Sequence, residues 1–448
     1  FYFPRRFIIL IMTSMAVCLP AFFEEIFLLT IDEIQHDEKW GESDKDIRLI
    51  QYSFTWGYAC TCILGGYLSY RFGFKKILAL GVILNALGTM LYPFVLDNEI
   101  ALIIVRCFCG GAEGLVLPSA YTMMSKWAPL QERSRFVSII WAGSFVGAGV
   151  GTFWGLVLQR EALALGWQVV YLLMGIVGVI WVAIWLLVIT ERPESNTAMR
   201  QRERRLILDS VPRPKPTVRN SLQINRQSRN DGMPRATVRA CFLNLPVIAL
   251  IVNHMAFSML LFVFSDTVPT FLKHYDIYPH SDVLIWSSAP LVSIVMTILI
   301  SGFIADTMIT RRMHPTVVRL VFQLIGIIVP TSFLIVLALV YFSPTAVTTL
   351  TIVAGSLIGV QVSGFATDVL DVSPAFAGII MGVTLLFASI PQVGSAFLFP
   401  YLVAKFHSWT APLLVASGIA VIAGLIWVMF ATGRRTDTAQ MSGSVLKL

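Results

Sequence analysis

Residues 191–239 read ERPESNTAMRQRERRLILDSVPRPKPTVRNSLQINRQSRNDGMPRATVR, and this one stretch divides the chain. It holds 12 Lys/Arg against 5 Asp/Glu, an excess of 7 that equals the formal net charge of the whole protein, +7. Its Arg, Pro, Ser and Asn, with Pro212-Arg213-Pro214-Lys215-Pro216 at the centre, cannot bury a core. The expectation for 191–242 is a basic, mostly disordered linker, with a short basic amphipathic helix at 198–208. Such a loop can touch anionic lipid, but its composition favours a solvated connection. On either side the character reverses. Over all 448 residues 56% are apolar and 13% charged, with mean hydropathy +0.76. Soluble domains carry about 45–50% apolar and about 25% charged residues, so a soluble globular protein is excluded.

A bilayer-spanning helix needs about 20 apolar residues. Stretches of that kind run over 7–30, 49–70, 77–96, 100–125, 135–158 and 168–190 before the loop. After it they run over 243–272, 284–306, 315–341, 346–368, 376–402 and 410–431. The fold expected is therefore an all-α membrane protein with 12 transmembrane helices in two six-helix halves, 1–190 and 243–431, followed by a tail at 432–448. The chain begins at Phe1, not Met, so a longer natural N-terminus is expected.

Connections between spans alternate in charge. Arg5/Arg6, Arg71/Lys75/Lys76, Lys126/Arg133/Arg135, the central loop, Arg311/Arg312 and Arg434/Arg435 fall on one side, and the acidic segment Asp32 to Asp46 on the other. The positive-inside rule makes both termini and the central loop cytoplasmic. It also explains the basic balance without nucleic acid. The six cysteines lie almost all in apolar runs, and the Cys60/Cys62 and Cys107/Cys109 pairs point to different helix faces, so neither a disulfide framework nor a metal site is expected. No Walker A, HExxH or GxSxG sequence occurs, which disfavours ATP-driven transport by this chain alone and disfavours enzymes of those classes.

The halves echo each other. Gly66-Tyr67-Leu68-Ser69-Tyr70-Arg71 closes span 2, and Gly302-Phe303-Ile304-Ala305-Asp306, with Arg311 and Arg312 behind it, closes span 8. Trp127-Ala128-Pro129 with Glu132-Arg133-Ser134 leaves span 4 as Asp371-Val372-Ser373-Pro374 leaves span 10. Repeated six-span halves joined by a long cytoplasmic loop describe the major facilitator architecture. The loop at 65–76 resembles the signature loop of that superfamily, which makes Gly66, Arg71 and Gly73, with Asp306 and Arg311 in the second half, candidates for the conformational switch. Tyr70 stands where many facilitators have Asp. In span 5, Gly143, Gly147, Gly151 and Gly155 recur every fourth residue, a stripe along which another helix can approach closely.

A charge at membrane depth costs at least about 2.5–3.5 kcal/mol on insertion scales, and so faces a cavity or a partner. Arg106 is the only Arg or Lys expected deep inside a span. Glu113 follows seven residues later on the same helical face. The residues allow two readings: an anion-binding arginine beside a protonatable glutamate, or an ion pair with another helix. Glu24 and Glu25 lie near the outer end of span 1, where hydration is expected. Asp266 is polar within span 7, Asp368 is expected at the cytoplasmic surface, and His254 is expected as a hydrogen-bonded core residue.

The block R-x-F-x-x-G-x-x-E-G-x-x-x-P (106–118), with W-A-P-x-x-E-R-S-R (127–135), resembles the anion:cation symporter family of major facilitators. S-F-T-W-G-Y (53–58), G-W-Q-V-V-Y (166–171), V-P-T-F (268–271) and S-P-A-F-A-G-I-I-M-G-V (373–383) support it. The resemblance implies secondary active transport of small organic or inorganic anions, with H+ or Na+ as coupling ion, no cofactor and no metal, and a chain functional as a monomer in a plasma or lysosomal/vesicular membrane. It implies substrate binding by Arg106, with Trp56 and Tyr58, and proton coupling by Glu113. Two departures bear on substrate. The family's Arg-Asn-Leu-Ser near the outer part of span 1 is replaced by Glu24-Glu25-Ile26-Phe27, and Gln51 and Phe257 stand where vesicular glutamate transporters have His and Arg. Both thin the cationic pocket and weigh against glutamate. They leave open a facilitator for a neutral or cationic solute; a non-transporting sensor or scaffold has no need of Arg106 and Glu113.

Overall fold

The computed structural model describes residues 3–37, 44–96, 98–161, 167–210, 244–268, 270–271, 283–340 and 344–433. The first half comprises α1 (Arg5–Asp37), α2 (Asp44–Phe72), α3 (Phe74–Val95), α4 (Glu99–Glu113) continued by α5 (Val116–Trp127), α6 (Arg133–Glu161) and α7 (Trp167–Val188). A short α8 (Gln201–Ser210) falls in the central loop, overlapping the stretch where a basic helix is expected. The second half comprises α9 (Leu245–Phe262), α10 (Val283–Thr310), α11 (Pro315–Leu339), α12 (Pro344–Leu357) continued by α13 (Phe365–Val372), α14 (Ala377–Phe406) and α15 (Thr410–Phe430). The loop expectations for 32–48 and 211–242 and the tail expectation for 434–448 fall wholly or partly outside the described residues.

Among the described residues, eleven helical segments are long and apolar enough to cross a membrane. The twelfth expected span, α2, has the length but not the apolarity. Its Gln51, Tyr52, Ser53, Thr55, Thr61 and Ser69 dilute the hydrophobic signal because two of its faces meet other helices. One packs on α4, where Gly57 faces the backbone of Cys107 and Thr61 donates to the Gly111 carbonyl at 2.7 Å. The other packs on α14, where Gly66 meets the backbone of Gly378 and Ile379.

Several spans are interrupted at the positions that shape the interior. Gly114 and Leu115 turn α4 into α5, with the Gly114 amide bonded to Gly110 O at 2.9 Å and that of Leu115 to Ala112 O at 3.2 Å. A 3-10 stretch, Ile358–Ser363, joins α12 to α13. It is held by a buried amide network: Gln323 Nε2 donates to Asn253 at 2.9 Å and to Gln361 at 3.0 Å, and Gln361 donates to Gly326 O at 2.7 Å. Buried amides in hydrocarbon need such complete pairing.

The glycine stripe of α6 faces α1. A Cβ on Gly143 would meet the backbone of Ser14, one on Gly147 the backbone of Cys18, and one on Gly151 the Glu25 side chain and Phe22 O. The side-chain surroundings of Gly155 lie outside the described residues. Gly147→Leu is therefore expected to lower the Tm in detergent by several degrees or prevent accumulation of folded protein, since no rotamer relieves a backbone clash. Gly149→Leu, where a Cβ meets nothing within 4 Å, is expected to be tolerated; equal Tm values for the two variants would contradict this packing.

Candidate functional site

α4 is capped by Asn98, whose side chain accepts from the Ala101 amide at 3.1 Å. Arg106 lies about 10 Å along the axis from that end and is fully buried. Its guanidinium lies over the Phe27 ring, 4.0 Å from the centroid, and over the Phe54 ring, 5.0 Å away. Nε donates to Ile50 O at 3.5 Å and Nη2 to Gln51 O at 3.1 Å. The rest of the fork is taken by Glu24 of α1: Nη2 donates to Oε1 at 2.7 Å and Nη1 donates to Oε2. Planar two-point pairing of this kind suits guanidinium and carboxylate.

Glu113 is on the same face of α4, two turns deeper, at the bend into α5. Its Oε2 is buried with no hydrogen-bond partner. It is close enough to Arg106, Glu24 and the half-buried Tyr58 to interact electrostatically with each. Trp56, by contrast, is half exposed. The glycines of the 106–118 block serve contact: Gly110 meets the Phe54 carbonyl and Gly114 meets Thr61 and Tyr58 of α2. The structure revises the expectation of hydrated carboxylates in span 1. Glu24 is bound to Arg106, and Glu25 accepts from Thr152 of α6 at 3.0 Å, because the glycine stripe brings α1 and α6 together.

A second constellation lies at the opposite end of the bundle, on the face that holds α8. There Glu203 of α8 accepts from the amides of Arg5 and Arg6 at 3.3 and 2.9 Å, and Arg6 pairs with Glu132 at 3.0 Å. On this face Asp306 of α10 is fully buried and receives the Ser134 and Arg135 amides of α6 at 3.0 and 2.9 Å. A carboxylate on the first turn of a helix meets the positive end of its dipole, and here it ties the second half to the first. Gly66 packs α2 on α14, and Gly73 adopts φ 96°, which brings the Phe74 and Lys75 amides onto Glu191 at 3.2 and 3.0 Å. Tyr70 packs on Phe376 across the halves at 5.5 Å. Arg71 is exposed and bonds Tyr67 at 3.1 Å, and Arg311 is exposed.

Sequence reasoning passed over the strongest members of this group. Arg319, one turn into α11, is 1% exposed and donates to Asp371 at 2.8 Å, Ser134 Oγ at 2.8 Å and Ser363 O at 3.1 Å. Arg106 is thus not alone as a buried span cation. Arg133 of α6 reaches the same Asp371 at 3.0 Å and Leu370 O at 3.1 Å. The available signal was an arginine set between Val318 and Leu320 inside a twenty-five-residue apolar helix. Asp368, expected at the surface, is 1% exposed with neither oxygen hydrogen-bonded, because α13 turns inward after the 3-10 stretch. His254 is also buried, with Nδ1 unpaired, against Phe365, Trp141 and Phe257 rather than hydrogen-bonded as expected. Trp141 donates to Tyr121 Oη and Tyr121 donates to Ala366 O, both at 2.9 Å, which adds another tie between halves.

The profile of the Major Facilitator Superfamily matches residues 7–396. Among similar proteins, sialin of Ovis aries is 29% identical over 85% of this chain and 74% of its own length. A chloroplastic ascorbate transporter of Arabidopsis thaliana is 28% identical over 97% of this chain and 76% of its own. A chloroplastic sodium-dependent phosphate transport protein of the same plant is 26% identical over 97% and 80%. In fold, the chain is similar to the proton:xylose symporter XylE, with a TM-score of 0.72 at 16% identity over 96% of this chain and 97% of that one. It is also similar to FucP in the outward conformation, TM-score 0.65 at 13% identity over 96% and 100%. Two six-helix halves, a buried carboxylate bonded across them and a family match across most of the sequence agree: the chain belongs to the Major Facilitator Superfamily.

Proposed function

We propose that this protein is a secondary transporter that moves small organic or inorganic anions by alternating access, coupled to H+ or Na+. The observation that carries the reading is Arg106, a guanidinium at membrane depth whose two Nη groups already hold a carboxylate. Two of the sequence relatives, by name an ascorbate transporter and a sodium-dependent phosphate transport protein, support the same substrate class. Arg106 supplies the fixed charge and the fork, and Glu113, two turns deeper on the same helical face and near Tyr58, is the proton-coupling carboxylate. Hydrogen bonds across the halves on the α8 face hold the pathway shut at that end. Movement of the halves as bodies, sliding on the α2–α14 and α6–α10 seams, opens it. The transporter works as a monomer in the bilayer and needs no cofactor.

Glu113→Gln mimics the protonated carboxyl. In proteoliposomes it is expected to keep substrate exchange while losing accumulation driven by a pH gradient. An unchanged pH-driven accumulation contradicts the coupling role. For orientation, the basic connections support a cytoplasmic position for both termini and the α8 loop. Protease added to the cytoplasmic face of sealed vesicles is expected to cut within 211–242; cleavage from the opposite face alone contradicts it.

A further inference from the structure

The Arg106–Glu24 pair bears on the substrate itself. Arg106 has five N–H donors, and four contacts to Ile50 O, Gln51 O and the two oxygens of Glu24 engage its fork. The guanidinium also lies over the Phe27 and Phe54 rings. What remains is the edge bearing the two Nη groups, and Glu24 covers that edge. Within the pair the arginine side chain has no exposure, whereas the Glu24 side chain is 19% exposed. Of the two groups only Glu24 reaches solvent, so a solute approaching by that exposed edge meets Glu24 before Arg106. The family motif supplies the cation; the carboxylate on it belongs to this chain's own span 1.

We propose that Glu24 is a tethered competitor for the anion site: it occupies Arg106 when the transporter is empty, and a substrate carboxylate takes its place on the fork. The proposal rests on the transport reading above and narrows it to substrate class. Like exchanges for like, so the favoured substrate is an organic anion presenting one planar carboxylate. A tetrahedral phosphate fits a slot shaped by two coplanar oxygens less well. The exchange keeps one carboxylate on Arg106 throughout, which avoids leaving a buried guanidinium bare. It also weakens apparent affinity, since substrate must outcompete a group already held in place. Glu24 leaves toward its exposed side. The charged and titratable neighbours facing it are Arg106, Cys109 and Glu113 from the span containing α4, Tyr92 from α3 and Glu25 on its own helix. None of these but Arg106 is a cation, so the guanidinium is what substrate and Glu24 contend for.

The test uses full-length protein in detergent and in proteoliposomes, with acetate, lactate, gluconate and phosphate as probes. Half-saturation is read from the shift in Tm, and KM and kcat from uptake. Glu24→Gln is expected to lower the half-saturating concentration and KM of carboxylates at least tenfold, with kcat less affected. Glu24→Ala is expected to gain Tm on added acetate where the native protein gains little, and phosphate to act more weakly than acetate in both variants. Glu24→Asp keeps the charge with a shorter reach, folds, and is expected to fall between native and Gln. Affinity that is unchanged or weaker in all three variants, with kcat falling alongside Tm, makes Glu24 a structural counterion and overturns the proposal; so does phosphate binding better than acetate. The two readings separate cleanly. Carboxylate binding tightened by Glu24→Gln in a protein that moves no anion defeats transport and spares the competitor. Carboxylate uptake indifferent to Glu24 does the reverse.

Discussion

Arg106→Ala is expected to reduce anion uptake at least a hundredfold. The substitution removes both Nη donors from the site and leaves Glu24 as a carboxylate at membrane depth without its partner. Removing one member of a buried ion pair costs about 3–5 kcal/mol, so a fall in Tm accompanies the loss. The double variant Arg106→Ala with Glu24→Ala separates the two effects. It removes both charges, is expected to recover much of the Tm, and stays inactive because no anion anchor remains. Arg106→Lys is expected to rescue partially, since an ammonium supplies a point charge but cannot span two carboxylate oxygens. Native uptake in the double variant would reduce the pair to a structural contact.

The second large effect is expected at the other end of the bundle. Asp371 accepts from Arg319 at 2.8 Å and from Arg133 at 3.0 Å, one arginine from each half. Asp371→Ala strands two buried guanidinium groups against each other across the seam. By the same scale of about 3–5 kcal/mol, the closed arrangement of the α8 face loses at least a hundredfold in relative population. Spin labels at the exposed Gln131 and Met313, one on each half, are expected to move apart, and uptake is expected to fall at least tenfold because the cycle stalls with that face open. An unchanged label distance contradicts the latch. Asp306→Asn is expected to act in the same direction but less strongly, since an amide oxygen still accepts one of the two α6 amides.

How far the sequence disclosed this depends on which signal a residue leaves. Spans and halves are legible because a bilayer demands long apolar stretches and the basic loop interrupts them. The single weak span, α2, is informative in its weakness: a helix packed on two sides can carry Ser, Thr and Tyr that a lipid-facing one cannot. The stripe from Gly143 to Gly151 is legible because periodicity alone brings glycines to one face; that it meets α1 is tertiary information. Arg106 and Glu113 stand out because charge at membrane depth is costly, and their shared face follows from helical period. The true partner of Arg106 was not legible, because Glu24 lies on another helix and a carboxylate near a span end reads as hydrated. Arg319 and Asp368 were hidden for the same reason. Each sits near the end of an apolar stretch, where composition suggests the surface, and only the inward turn of the 3-10 stretch after α12 and the meeting of α6 with α10, α11 and α13 bury them.

A small anion is expected to cross the membrane on this protein through Arg106. The most direct measurement is counterflow in proteoliposomes: vesicles loaded with one unlabelled anion, then exposed to trace labelled anion of the same kind, across a panel of sialic acid, urate, aspartate, glutamate, acetate and phosphate. Accumulation of at least one labelled anion is expected with the native protein, with its abolition in Arg106→Ala and its persistence in Glu113→Gln. Accumulation of no anion by folded native protein, or equal accumulation by native protein and Arg106→Ala, contradicts it.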